Sequence, residues 1–309
     1  NWIWYELDKS PLLKALSGLT EMAAKATTPF PFANIEEITN YYITEGFRID
    51  NAMRQAFAAV KTEKDKTLIK EIIQLIYKPW LENLNTKFQN LVQKDTTLFT
   101  SQKAKKETEN YVLFVDAFRY ELAQEFCERL TKLKYKIKLE NSWSAIPSLT
   151  PTAKPNVAPI ATMVATNSQI TEFRPQLETG KDLQTNEFRK ALKEANFNHI
   201  VKATDINPDK NSGEEIGDID TKGHEEQADM VGSIEKLFGQ VQESLDNAFE
   251  KGVKKIKIVT DHGWLLLPGG LPKTALNAGL TETRWGRCAL IKEGANTDLL
   301  HLPWRWNES

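Results

Sequence analysis

Near residue 110 the apolar residues of this 309-residue chain change their spacing, and that change limits the fold more than any single motif does. Before it, Leu68, Ile69, Ile72, Ile73, Leu75, Ile76, Trp80, Leu84, Phe88, Leu91 and Val92 recur at intervals of three and four, the period of one helix face, so the spacing predicts an amphipathic helix kinked at Pro79. A second stripe runs through Ile38, Tyr41, Tyr42, Ile49, Met53 and Phe57, and the proline-bearing stretch 27–32 reads as a loop. After it, Tyr111 to Val115 form an unbroken apolar run, as a strand buried on both faces requires. Phe118, Leu122, Phe126 and Leu130 then return to helical spacing, 134–139, 198–201 and 255–260 read as further strands, and 187–195 and 226–250 as helices. Alternating strands and helices predict an α/β fold with a mostly parallel central sheet flanked by helices, preceded by an α-helical region. The polar stretch 94–109 divides the chain into an α-helical region, 1–105, and an α/β domain, 106–309.

Composition narrows the partners. The chain is 40% hydrophobic and 27% charged, enough to bury one large core or two ordinary ones. Forty basic residues against 42 acidic leave a net charge of −2, so no overall basic field advertises nucleic acid. Cys127 and Cys288 stand far apart without a Cys-x-x-Cys partner, which fits a reducing cytoplasmic compartment. No apolar run approaches the roughly 18 residues of a membrane span, so a soluble protein without a membrane partner is expected. The first residue is Asn1, so the sequence reads as a piece of a longer chain.

In parallel sheets ligands gather outside the carboxyl ends of the strands, and three groups of residues fall there or close by. Asp116 directly follows the apolar run; it either ligates a divalent cation or caps the next helix. Asp261-His262-Gly263 follows the strand at 255–260 and reads as a ligand pair, Gly263 permitting the tight backbone that aims both side chains at one ion; the alternative is a strand-end turn with a satisfied histidine. Asp220 and His224, four apart, suit zinc or manganese, or else form a solvated surface. Between these groups lies a proline-stiffened loop, 144–155, whose hydroxyls Ser148, Thr150 and Thr152 include a potential metal-activated nucleophile; the alternative is an ordinary turn.

These stretches resemble the alkaline phosphatase superfamily, and within it the PglZ branch, the phosphatase of bacterial BREX phage-defence systems. The resemblance covers roughly residues 110 to 309 and is carried by 115–121, 147–155, 260–273 and 281–288. It implies a binuclear metallo-phosphoesterase with two divalent ions, zinc first and manganese second. One ion would be held by Asp116, Thr150, Asp261 and His262, with Thr150 as the nucleophile; the other would be held by Asp220, His224 and one later histidine. His301 lies in a different context from the family's ligand motif, and a His-Gly-Gly segment that such chains carry further on lies outside this sequence. Lys154 and Arg119 are the nearest cations by sequence to hold the phosphoryl oxygens, or else are structural; Arg284 and Arg287 beside Trp285 could contact a nucleic-acid backbone through charge and stacking, or else pack against the domain or a partner protein. The implied substrate is a phosphodiester, with nucleic acid among the substrates in view, and the implied partners are other BREX proteins. The alternative function is a non-catalytic scaffold that binds those proteins through the helical region.

Overall fold

The computed structural model describes residues 10–27, 31–95, 110–168, 172–217, 227–270, 276–277, 279–284, 288–292, 294–295 and 299–307. The helical region is built from α1 (Pro11–Ala26), α2 (Ile35–Tyr41), a π-helical turn (Tyr42–Gly46), α3 (Phe47–Ala58) and the 32-residue α4 (Glu63–Lys94). Helix α4 runs through Pro79 and turns Ile69, Ile73, Tyr77, Trp80, Leu84 and Leu91 inward, while Leu68 and Leu75, on other faces of the same turns, are exposed. Its start is capped by Thr62, whose hydroxyl accepts the Asp65 N–H.

Four strands make one parallel sheet in the order β2 (Asn198–His199), β3 (Ser212–Ile216), β1 (Tyr111–Val115) and β4 (Lys257–Val259). The α/β class, the parallel sheet and the preceding helical region are therefore as the apolar spacing predicts. Alternation along β1 sends Leu113 and Val115 to one face, where α5 (Tyr120–Lys132) and α8 (Ile234–Glu250) cover them with Leu122, Phe126, Leu237, Phe238 and Val241. Val112 belongs to the core on the opposite face, with Leu192 of α7 (Thr185–Glu194), Leu149, Ile160, Trp304 and Trp306. Helix α6 (Thr150–Val157) lies between, and β5 (Thr281–Arg284) pairs antiparallel with β6 (Ala289–Ile291).

Several readings need correction. Residues 134–139 form no strand: no neighbour offers this segment a ladder among the described residues, and Ile137 and Leu139 are exposed. Conversely, β3 reads poorly as a strand because it carries Glu214 and Glu215. Glu214 is accommodated by two hydroxyls, Tyr111 Oη at 3.2 Å and Ser244 Oγ at 3.1 Å. The stretch 226–250 becomes α-helical only from Ile234, after a 3-10 segment (Gln227–Ser233), and most of the expected loop 150–155 is helical in α6. The proposed division near 105 falls at residues 96–109, outside the described residues; on either side of it the two regions share a core, because Leu266 and Leu267 pack among Met22, Ile73 and Trp80. Among the described residues no helix is long and apolar enough to cross a membrane.

Gly213 is a direct test of the β1–β3 pairing. A Cβ there would stand 2.4 Å from the Val112 carbonyl oxygen, a backbone atom that cannot move without breaking the ladder. Gly213→Ala is expected to lower unfolding free energy by about 1–3 kcal/mol, measured by denaturant titration; an unchanged midpoint would reject this register.

Candidate metal centre

Strands β1 and β4 are adjacent and parallel, with Leu113 opposite Ile258 and Phe114 opposite Val259, so the residues following each leave the carboxyl edge of the sheet side by side. Asp116 still donates its N–H to the Ile216 carbonyl of β3 at 2.9 Å. Ala117 then adopts φ 54°, a left-handed conformation that costs an alanine about 1 kcal/mol. Side chains beyond β4 help to hold this turn: Ala117 N–H faces Asp261 Oδ1 at 3.4 Å and Phe118 N–H donates to Thr260 Oγ1 at 2.9 Å. Strain held in this way is characteristic of functional sites. From the other side, Ser144 Oγ donates to the Asp261 carbonyl at 2.7 Å.

The imidazole of His262 is the hub. Its Nδ1 lies 2.9 Å from the Gly263 carbonyl, which can only accept, so Nδ1 carries the proton and Nε2 presents its lone pair. Around Nε2 stand Thr150 Oγ1 at 2.9 Å, Asp261 Oδ2 at 3.5 Å and Asp116 Oδ1 at 3.8 Å. Asp116, Asp261 and His262 each offer one ligand atom within 4.8 Å of the others, and all three are buried. Asp261 Oδ2 is buried and makes no hydrogen bond, so an acceptor faces an acceptor. Ligand atoms around a tetrahedral zinc ion bound at ordinary distances stand roughly 3.4 Å apart. The donor set of two carboxylates and one imidazole, with a hydroxyl beside them, could therefore hold a divalent cation.

Burial raises the Asp261 carboxyl from 3.8 to about 6, although N–H groups of Ala117 and His262 pull the other way. The Oδ2 that makes no hydrogen bond is the structural counterpart of that shift: burial withdraws water from the carboxylate, and the charge of Lys154 offsets this only in part.

The hydroxyls separate clearly. Thr150 opens α6, is half-buried and is the one within hydrogen-bonding distance of His262. Thr152 is fully buried, donating to the Phe173 carbonyl at 2.7 Å and accepting from the Trp304 indole at 3.0 Å. Trp306 adds a bond from its indole to the Thr152 carbonyl at 2.9 Å, so the two tryptophans clasp the helix that carries Thr150. Lys154, one turn beyond Thr150, forms an ion pair with Glu215 and lies 4.6 Å above the Phe114 ring. Arg119, read from the sequence as either a phosphoryl-holding cation or a structural residue, is buried and engaged by Glu121, by Asp50 of the helical region and by the Trp264 carbonyl. His301 is exposed, its Nδ1 3.1 Å from the Leu299 carbonyl, and does not join the cluster. Asp220, His224, Trp285 and Arg287 lie outside the described residues, as does the side chain of Arg284. Thr260, Ser144 and the Gly263 carbonyl were not singled out by spacing, since their part is to hold the ligands and not to be ligands.

The chain matches no protein-family model and no curated protein.

Because the folded carboxyl of Asp261 titrates above its unfolded value, the apo protein binds the extra proton between 3.8 and about 6, and stability falls as pH rises through that window. Asp261→Asn retains an oxygen for the two N–H groups and gives His262 Nε2 a donor. It is expected to stabilise the apo protein at pH 7 by up to about 3 kcal/mol while abolishing the rise in Tm that zinc gives the parent. Differential scanning calorimetry with and without zinc checks both halves; a zinc-induced rise surviving in the variant would reject Asp261 as a ligand.

Proposed function

We propose that this chain is a metal-dependent phosphoesterase of the PglZ type, with Thr150 as its nucleophile. The observation that carries the reading is the 2.9 Å approach of Thr150 Oγ1 to the imidazole nitrogen that also faces two carboxylates. A divalent ion held by Asp116, Asp261 and His262 would, when bound, lower the pKa of a neighbouring hydroxyl and neutralise phosphoryl oxygens.

The chain's own residues do the rest. Thr150 sits at the positive N-terminal end of α6, a favourable place for an anionic substrate. Its Oγ, having given its proton to solvent, attacks phosphorus in line; the Oγ–P bond forms as the bond to the leaving oxygen breaks, that oxygen takes a proton from solvent, and water later cleaves the phosphothreonine, releasing the phosphoryl group and restoring the hydroxyl. Lys154 projects from the same face of α6 as Thr150, four residues on, and exchanges its Glu215 carboxylate for a phosphoryl oxygen. Burial of Asp261 and His262 keeps bulk water from the ligands, while half-buried Thr150 marks the open side. A second ion is assigned to Asp220 and His224 on the resemblance; that segment follows the carboxyl end of β3, the strand beside β1. The preference for zinc over manganese, a phosphodiester substrate such as nucleic acid, and partnership with other BREX proteins rest on the same resemblance. A scaffold role for the helical region is the second reading, supported by exposed Leu12, Leu16, Leu68 and Leu75 on α1 and α4.

The test combines elemental analysis of the zinc- or manganese-loaded protein with hydrolysis of bis-p-nitrophenyl phosphate and p-nitrophenyl phosphate. Thr150→Ala is expected to lose turnover by on the order of 10³-fold or more while retaining metal, whereas Asp261→Ala loses both. Turnover by Thr150→Ala at the parent's rate would move the nucleophile elsewhere. Bound metal without turnover on either ester would favour the scaffold.

A further inference from the structure

We infer that the N-terminal helical region positions the metal ligands, acting through a buried link from Asp50 to Arg119 to the backbone just beyond His262; this rests on the metal-site reading above. Arg119 follows the turn that presents Asp116, and its guanidinium meets three acceptors on separate segments. Its Nε donates to Glu121 Oε1 at 2.5 Å, one terminal nitrogen donates to the Trp264 carbonyl at 2.6 Å, and the other lies 3.3 Å from Asp50 Oδ2. Asp50, on α3, is itself oriented by the hydroxyls of Tyr42 and Tyr77, each 2.7 Å away. The Arg119 stem lies 3.4 Å from where a side chain on Gly263 would begin, and the Gly263 carbonyl sets the His262 tautomer. A carboxylate of the helical region thus reaches the imidazole through one guanidinium and one turn of backbone.

Two further contacts hold the same strap. Leu266 and Leu267 sit in the core of the helical region, and Gln74 of α4 donates to the Pro268 carbonyl at 2.6 Å. Further along α4, Phe88 stacks on Trp143 with ring centroids 4.8 Å apart, immediately before Ser144, whose hydroxyl grips the Asp261 carbonyl. One helix therefore braces both chain segments that converge on Asp261 and His262.

A buried ion cluster is a poor source of stability, since apolar residues of the same volume often serve as well. What the guanidinium does supply is direction, because its planar fork fixes three acceptors at once and a lysine ammonium in its place cannot. Partners that orient metal ligands from behind typically alter metal affinity 10–100-fold when removed.

The experiment measures zinc affinity by competition with a chromophoric chelator, together with the Tm of the apo protein, for Arg119→Lys, Asp50→Asn and the control Ile206→Ala. Ile206 is buried with Ile200 and Val253, in a core separate from the one that holds Leu266 and Leu267. Arg119→Lys and Asp50→Asn are expected to bind zinc about 10-fold more weakly, whereas Ile206→Ala lowers Tm and keeps the parent's affinity. Parental affinity in both test variants would overturn the inference. If neither folds, Gln74→Ala, which removes only the Pro268 clamp, decides in the same assay: weaker binding supports the inference and unchanged binding overturns it. A parent that binds no zinc overturns the metal-site reading itself, and does so before any variant is compared.

Discussion

The parallel pairing of β1 with β4 is the constraint on which everything else in this molecule rests. Two strands more than 140 residues apart in the chain lie in register, Val112 beside Lys257 and Phe114 beside Val259, and the same register carried two residues on sets Asp116 beside Asp261. Neither carboxylate chooses that neighbour. Apolar burial of β1 on both faces and the cover of α5 and α8 impose it, and the energy of the core is thereby used to bring two like charges and an imidazole into one dry pocket. The left-handed Ala117 and the raised Asp261 carboxyl are the local costs of that arrangement. A divalent cation is the simplest species that relieves the second of them.

Much of the architecture is legible in the amino-acid order because apolar spacing encodes it directly. The run at 111–115, the four-residue spacing from Phe118 and the stripes around Ile73 and Met53 all became the elements that their periods describe. Where the reading failed, a single kind of cause recurs. Tyr135, Ile137 and Leu139 alternate with lysines as a strand would, but alternation states only a preference for extension; a ladder also needs a neighbour, and the described sheet offers none there. β3 hides for the opposite reason. Its glutamates look like a solvated loop, and only the hydroxyls of Tyr111 and Ser244, remote in sequence, make Glu214 tolerable inside the sheet.

The site divides along the same line. Asp116, Asp261 and His262 stand out in the sequence because strand ends have a position there, and Thr150, set apart from Ser148 and Thr152 by the family resemblance alone, lies 2.9 Å from His262 while Thr152 is engaged elsewhere. For Arg119 the sequence leaves two roles open, because proximity along the chain to Asp116 says nothing about which way a long side chain turns; here it turns back toward Asp50. Asp50 itself carries no signal at all in the sequence. An acid on an amphipathic helix reads as surface, and only the packing of the π-helical turn and α4 around it, with a tyrosine from each, shows it to be interior.

The tryptophan clasp on Thr152 has a consequence for how this protein comes into being. Trp304 and Trp306 reach back some 150 residues to fix the helix that presents Thr150, and Arg305 N–H pairs with the Ile146 carbonyl beside it. Contacts of such sequence separation form late, because the loop they close is long. During synthesis the helical region, with its local contacts, can assemble early, while the threonine helix waits for residues 304–306 to leave the ribosome. The order of emergence thus delays the clasping of the threonine helix until residues 304–306 have been made.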